Sequence, residues 1–169
     1  DVSASPTSQV ARSQMLAAAN QLASRWHSID SQLSQLDDEV DNRVGASIAD
    51  VNRLSAEIAN LNRDIISAGS NAPPDLLDAR AQRIDELSGL IGASTLAQDD
   101  GALNVFTTGG QSLVLGNRAQ ALATVPDPLR PDRMQLALAT TAGPVALSST
   151  SVGGQIGGLL EFRTRVLDP

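Results

Sequence analysis

The chain has 169 residues, a formal net charge of −7 and an apolar content that is almost entirely aliphatic, since aromatic residues make up 2% of it. All twelve basic residues are arginines spread along the chain, whereas a nucleic-acid-binding protein would cluster positive charge on one face. The 169 residues include no cysteine, so they can form no disulfide, no catalytic thiolate and no cysteine-ligated metal site. No apolar run approaches the roughly 18 residues that would span a membrane.

Apolar residues recur at helical spacing between Pro6 and Ala68, a stretch whose only glycine is Gly45. Most steps alternate between three and four residues, which predicts an amphipathic helix with a coiled-coil-like seam. Ser5 and Pro6 are typical of a helix start, and Gly69 is typical of a stop. The seam consists of Met15, Leu22, Trp26, Ile29, Leu33, Leu36, Val40, Val44, Ile48, Val51, Leu54, Ile58, Leu61, Ile65 and Ala68.

The seam is irregular around Gly45. Three consecutive steps of four residues make it drift around the helix, and glycine weakens a helix by about 1 kcal/mol relative to alanine. We therefore expect either one long helix with a soft point near residues 42–46 or two nearly collinear helices. A helix of this length with one apolar stripe requires partner helices, from this chain or from neighbours.

A second helix is predicted from Pro73-Pro74-Asp75 to Ile91, with Asp75 and Asp78 in a capping-box-like spacing. Its stripe is Leu77, Ile84, Leu87 and Ile91, and the short turn before it predicts that it folds back antiparallel on the first helix. Strands are then predicted at 95–98, 103–107 and 111–115, joined by turns at Asp99-Asp100-Gly101 and Thr108-Gly109-Gly110. Weaker strand candidates are 119–125, 134–140 and 145–147, with a proline-rich loop at 126–131.

A last helix is predicted over Gln155–Leu167, with Leu159, Phe162 and Val166 on one face. The elements together predict an α+β fold: an elongated antiparallel, coiled-coil-like helical bundle with a small inserted antiparallel β meander. The predicted domains are a helical one at 5–92 and 152–169 and a small β lobe at 93–151.

Groups that could carry chemistry are few, and each has a plainer interpretation. His27, the only histidine, lies beside the stripe near Asp30 and is predicted to be a solvated helical residue. Asp37, Asp38, Glu39 and Asp41 point in several directions on a helix and predict a solvated face; Asp99 and Asp100 lack the ligand pattern of an EF-hand. Residues 153–158, Gly-Gly-Gln-Ile-Gly-Gly, do not match a phosphate-binding loop and predict tight backbone packing. We predict no catalytic, cofactor-binding or metal-binding residue, no cofactor and no enzymatic activity.

Several segments resemble the flagellar hook-associated protein family FlgK, in the order that the family shows. They are Leu61–Ile65, Asp75–Arg80 with Asp85–Ser88, Leu103–Gly116 (LNVFTTGGQSLVLG), and Gly153–Arg163 (GGQIGGLLEFR) running on to Val166–Pro169. The likeness covers about residues 50 to 169. The glycine-led third motif separates this family from flagellin better than the helical seam does, because any long helix would produce the seam.

The resemblance implies a structural protein of the bacterial flagellum, located at the junction between hook and filament. It implies self-association into a short helical ring, contact with the hook protein and with the next hook-associated protein, and export through the flagellar type III apparatus without a cleaved signal peptide. The family's terminal helical segments, which carry the export chaperone's site, are expected to lie outside these residues. The alternatives are another helical assembly component, flagellin-like or phage-tail-like, or a module whose β lobe binds a ligand or surface. Neither nucleic acid nor a membrane is expected as a partner.

Overall fold

The computed structural model describes residues 9–130 and 133–167. A long helix, α1 (Gln9–Ala68), leads through a 3₁₀ turn (Gly69–Asn71) into α2 (Pro74–Ile91). After the strands, a 3₁₀ turn (Ser149–Ser151) precedes α3 (Gly154–Phe162), which continues as a π-helical turn (Arg163–Leu167). The strands are β1 (Ala93–Ala97), β2 (Leu103–Thr107), β3 (Ser112–Leu115), β4 (Arg118–Ala119), β5 (Leu122–Pro126), β6 (Met134–Thr140) and β7 (Gly143–Ala146).

The predicted long helix is confirmed, and α1 runs through residues 42–46 without interruption. The alternative of two separate helices is wrong, because Gly45 keeps its place in one continuous hydrogen-bonded helix. The predicted start at Ser5 and Pro6 lies outside the described residues. The predicted stop is confirmed, since Gly69 takes the left-handed conformation at φ +58° immediately after α1.

The two sides of the α1–α2 hairpin run antiparallel, as predicted. Arg80 of α2 bonds to Asn62 of α1, and Arg83, one turn further along α2, reaches Glu57, more than one turn back along α1. The predicted capping box is wrong: the N-cap is Pro73, no side chain bonds to the helix start, and the proline already fits the first turn. Leu77, predicted to face inward, is 40% exposed in the first turn of α2, next to the connection from α1.

The β region forms two antiparallel sheets where a single meander was predicted. The first has the order β1-β2-β3-β4 and the second the order β5-β6-β7. The segment 119–125, predicted as one strand, is broken at Gln120-Ala121: β4 ends the first sheet and β5 begins the second. The hairpin turns are confirmed, with Gly101 at φ +87° and Gly110 at φ +82°.

The chain divides into two compact units after Glu39. Within the unit that begins at Val40, one apolar core joins α1, α2, both sheets and α3, and its fully enclosed side chains include Leu54, Ile58, Leu87, Leu113 and Ile156. On α3, Ile156 is buried and Leu159, predicted on the packed face, packs against the core with Leu160. Phe162 and Val166, predicted on the same face, are 39% and 50% exposed. The division into a helical domain and a β lobe at 93–151 stays a prediction.

Candidate assembly surface

The N-terminal part of α1 carries an apolar stripe that is exposed to solvent. Its spacing continues the seam that is buried from Val40 onward, so the same sequence pattern is covered in one unit and open in the other. Trp26, the only tryptophan in the chain, is 63% exposed at the middle of the stripe. We call this set the open stripe; its large members are Met15, Leu22, Trp26, Ile29, Leu33 and Leu36.

An open apolar stripe of this length is characteristic of a helix that packs against others. Single exposed apolar residues are ordinary, but contiguous ones at three- and four-residue spacing indicate an interaction surface. The remaining residues of α1 up to Glu39 are mostly serine, glutamine, alanine, aspartate and arginine, so the large apolar side chains from Leu22 onward share one face. His27 is exposed on this helix, as predicted.

Asn62 joins the first sheet to α1 by using all of its hydrogen-bonding capacity. Its side-chain nitrogen donates to the carbonyl oxygens of Leu103 (2.8 Å) and Gly116 (2.6 Å). Its side-chain oxygen accepts from the Leu103 amide (3.1 Å) and from an Arg80 guanidinium nitrogen (2.9 Å). The residue is fully buried, and it fixes the start of β2 and the turn after β3 against the helix.

Arg80 supports the same junction from α2. The nitrogen that bonds to Asn62 also donates to the carbonyl of Gly101 at 2.8 Å, and the side chain is only 7% exposed. Within the described part of the chain no carboxylate pairs with it, and burial lowers the pKa of the guanidinium. A buried cation held by an amide and a carbonyl is costly to leave without these acceptors, so Arg80 and Asn62 stabilise one geometry as a pair.

Asn52 makes a similar junction with the second sheet. Its side-chain nitrogen donates to the Leu122 carbonyl at 2.9 Å, and its oxygen accepts from the Leu122 amide at 2.8 Å. An asparagine side chain thereby takes the position that a neighbouring strand would otherwise occupy at the start of β5. The pairing accounts for the break after β4, because the backbone of Leu122 is satisfied by the helix.

Arg163 ties the turn after α3 to two other elements. It forms an ion pair with Asp41 of α1 and donates to the Met134 carbonyl of β6 at 3.3 Å. The Arg163 side chain is 9% exposed, and the Asp41 side chain is 47% exposed. Asp41 is half-exposed, as the predicted solvated face requires, but a single sequence could not show that it also pairs with a residue so distant along the chain.

The glycine-rich segment at the start of α3 is confirmed as a packing feature. Gly154 lies at φ +58°, and a Cβ there would be 2.6 Å from the carbonyl oxygen of Gly89 and 2.8 Å from the amide nitrogen of Ile91. Gly157 approaches the Val152 carbonyl equally closely. The Gly154 contacts bring the backbone of α3 against the end of α2, where a side chain would prevent it.

The histidine and acidic residues considered above as possible catalytic or metal-binding groups do not form a common site. Asp100 accepts a hydrogen bond from the Ala102 amide at 3.0 Å within its turn, as expected for a hairpin aspartate. Among residues 9–130 and 133–167, no three acidic or histidine side chains form a group that could hold a metal ion. In the same ranges no helix is both long enough and apolar enough to cross a bilayer.

Sequence reasoning missed the polar residues that hold the elements together. One signal was available: Asn62 interrupts the apolar face between Ile58 and Ile65, where a polar side chain must find buried partners. Asn62, Arg80 and Arg163 also lie inside three of the segments on which the family resemblance rests. Asn52 lies in none of the quoted motifs.

Comparisons with known proteins agree with this architecture. The family model of the flagellar hook-associated protein FlgK helical domain matches residues 1–169. Flagellar hook-associated protein 1 of Salmonella typhimurium is 35% identical and that of Escherichia coli is 33% identical; each alignment covers 94% of this chain and 30% of the relative. The structure of the flagellar hook junction protein FlgK from Burkholderia pseudomallei matches with a TM-score of 0.90 and 34% identity, over 99% of this chain and 31% of that one.

Proposed function

This chain belongs to the FlgK family of flagellar hook-associated proteins, and from that membership we propose that it serves in the junction between the hook and the filament of the bacterial flagellum. The chain spans about 30% of the length of the curated relatives that it matches, so it would supply one helical part of a longer junction protein. Its role is structural, and we propose no catalytic step.

The open stripe is the observation that carries this proposal. Leu22 and Trp26 are more than half exposed to solvent, and Ile29 is nearly half exposed. Covering these side chains would remove a continuous apolar surface from water. At about 25 cal/mol per Å² of apolar area, a stripe of several such residues yields enough free energy to drive helix packing. The stripe is therefore proposed to be covered by another helix in the assembled flagellum.

The buried junctions support a mechanical role for the rest of the chain. Both sheets and the turn after α3 are attached to α1 at separate points, through Asn62 with Arg80, through Asn52, and through the Arg163–Asp41 ion pair. Such polar contacts are specific in direction, so they hold the β region in one orientation on the helix. A part that links two different polymers needs this kind of fixed geometry.

The proposed partners and location follow from the family. They are further copies of the full-length protein in a helical ring, the hook protein on one side and the next hook-associated protein on the other. The proposed location is the extracellular flagellum, reached through the flagellar type III apparatus without a cleaved signal peptide. The export chaperone is proposed to bind outside residues 1–169.

Complementation tests the proposal directly. The full-length protein that contains this chain is expressed in a strain that lacks its hook–filament junction protein, and filaments are counted by electron microscopy. We expect filaments to be attached to hooks and motility to return. Secretion of the protein into the medium at normal levels with hooks that remain bare would refute the proposed function, because export would then have succeeded without assembly.

A further inference from the structure

The turn between β1 and β2 contains a peptide bond with the residue types that favour spontaneous backbone rearrangement. Asp100-Gly101 is the one place in the 169 residues where an aspartate or asparagine precedes glycine. Both residues are exposed, and Gly101 has φ +87°. Glycine has no Cβ to shield its backbone nitrogen. The sequence thus places a carboxyl carbon and an unhindered nitrogen next to each other at the surface.

Aspartate isomerisation begins when the Gly101 backbone nitrogen attacks the side-chain carboxyl carbon of Asp100. A new C–N bond closes a succinimide ring, and the carboxyl hydroxyl leaves as water with the amide proton. A second water then adds to the main-chain carbonyl of Asp100 and breaks the bond from that carbon to the nitrogen. The chain now continues through the side chain as isoaspartate, with its Cβ in the main chain and no change of mass or oxidation state.

The folded turn engages both reacting groups in other contacts. The Asp100 carboxylate accepts from the Ala102 amide at 3.0 Å, and the Gly101 amide donates to the Gln98 carbonyl at 3.0 Å. Both hydrogen bonds must break before the nitrogen can face the carboxyl carbon. The Gly101 carbonyl is held as well, by the buried guanidinium of Arg80 at 2.8 Å. A reaction that needs the turn to open proceeds only from the small open population.

We propose that Asp100-Gly101 is a site of isoaspartate formation that the folded turn suppresses, and that the Arg80 contact contributes to the suppression. The coupling works in both directions. If the turn rearranges, the Gly101 carbonyl moves with the lengthened main chain, and the buried charge of Arg80 loses an acceptor. The modification and the junction between α2 and the first sheet therefore oppose each other. This inference concerns the chemical lifetime of the fold and does not depend on the proposed function.

Peptide mapping of aged full-length protein tests the site. The protein that contains this chain is held in neutral buffer, folded in one sample and unfolded in guanidinium chloride in the other, and is then digested with trypsin. Isoaspartate at position 100 is identified from the fragment ions of the peptide 84–118. We expect it to form about 10-fold or more slowly in the folded sample, since only the open turn reacts. Equal rates, or no isoaspartate at Asp100 in denaturant, would overturn the proposal.

Asp100→Ser is the matched control. A serine hydroxyl can still accept from the Ala102 amide, but serine has no carboxyl carbon for the nitrogen to attack. Total isoaspartate, measured by labelling with an isoaspartyl methyltransferase, should fall below the wild-type level in denaturant. Asp85, followed by Glu86 in the same tryptic peptide, is the internal reference and should react far more slowly than Asp100 there. An unchanged total, or equal reaction at Asp85, would count against a distinct site at Asp100.

Substitution of Arg80 tests the coupling in the folded protein. Arg80→Gln removes the cation that holds the Gly101 carbonyl, and Arg80→Lys keeps the charge without the guanidinium geometry. Circular dichroism identifies the variants that fold, and each of these should form isoaspartate at Asp100 several-fold faster than the wild type. Arg83→Gln, which changes a surface ion pair of the same helix, should not. A folded Arg80 variant that isomerises at the wild-type rate would disprove the role of Arg80.

Hydrogen exchange of the wild type gives an independent measure that needs no substitution. The Gly101 amide must leave the Gln98 carbonyl both to exchange and to attack. Its protection from exchange should therefore be similar in magnitude to the slowing of isomerisation by folding. An amide that exchanges as fast in the folded protein as in the unfolded one would overturn the suppression by the turn, whether or not the Arg80 variants fold.

Discussion

Buried polar side chains, at the scale of single residues, determine how the elements of this protein are joined. Asn62 offers two donors and two acceptor positions, and the surrounding backbone and Arg80 use all of them. A side chain of this kind contributes little net free energy when it is paired, but its partners become costly when it is removed. Its value lies in excluding other arrangements of β2 and the β3–β4 turn.

Replacing Asn62 by alanine should therefore destabilise the fold strongly. The change leaves the Leu103 amide, two carbonyl oxygens and a buried guanidinium without this partner, and each such group costs about 1–3 kcal/mol. We expect the free energy of unfolding in urea to fall by about 3 kcal/mol or more. The matched control is Asn60→Ala, an exposed position on the same helix, which should change it by less than about 0.5 kcal/mol. Equal effects would show that the network is not important for stability.

The residues that the sequence could not identify are those whose partners are distant along the chain. The apolar seam of α1 was readable because helical periodicity is local, and the hairpin glycines were readable because positive φ is a local demand. The Asp41–Arg163 pair spans most of the chain, and the Asn52–Leu122 pair joins a helix to a strand end. Neither spacing nor composition carries that information.

The elements are placed by close backbone approach as well as by side chains. α3 starts where Gly154 packs on the end of α2, whereas Gly158, one turn later, has open space around its missing Cβ. Close packing therefore explains the glycine at position 154 but not the glycine at position 158. The sequence motif predicted close packing in general but could not assign it to one position.

Alanine substitutions at these two glycines should separate the causes. Gly154→Ala introduces a Cβ 2.6 Å from a carbonyl oxygen at a positive φ and should lower the melting temperature by several degrees or prevent folding. Gly158→Ala should be neutral or stabilising by up to about 1 kcal/mol, since alanine favours a helix. Thermal melts followed by circular dichroism measure both. A comparable loss of stability at Gly158 would contradict the packing described for α3.

The second sheet depends on a contact that the first does not use. Removing the Asn52 side chain with Asn52→Ala frees the Leu122 amide and carbonyl at the start of β5. We expect amide hydrogen exchange to accelerate across β5–β7, with β1–β4 little changed. Asn62→Ala should give the opposite ranking. A uniform increase over both sheets in either variant would mean that they open as one cooperative unit.

At the scale of the whole molecule, one apolar sequence pattern is buried along part of α1 and exposed along the rest. The seam of α1 is continuous in the sequence, yet from Val40 it is buried in the core while the open stripe remains exposed. Periodicity predicts that an apolar face needs a partner, but it cannot say whether that partner belongs to the same unit. The exposed half can therefore be changed without disturbing the core, and this separates folding from assembly in an experiment.

A double substitution in the open stripe should remove assembly and leave folding intact. Leu22→Ser with Leu33→Ser replaces two apolar side chains that are 58% and 43% exposed, so the melting temperature should change little. In the full-length protein, hooks should lose their filaments, because burial of each leucine in a partner is worth about 1.5–3 kcal/mol.

The control for this variant is Gln21→Ser with Gln32→Ser, which places the same residue type at neighbouring exposed positions of α1 and should keep filaments attached. Trp26 offers a direct readout in the 169-residue chain, since it is the only tryptophan there and its emission shifts to shorter wavelength when the stripe is covered. Normal filaments in the leucine variant would mean that the open stripe has no partner in the flagellum. Loss of filaments together with a large fall in melting temperature would instead assign these leucines to the fold.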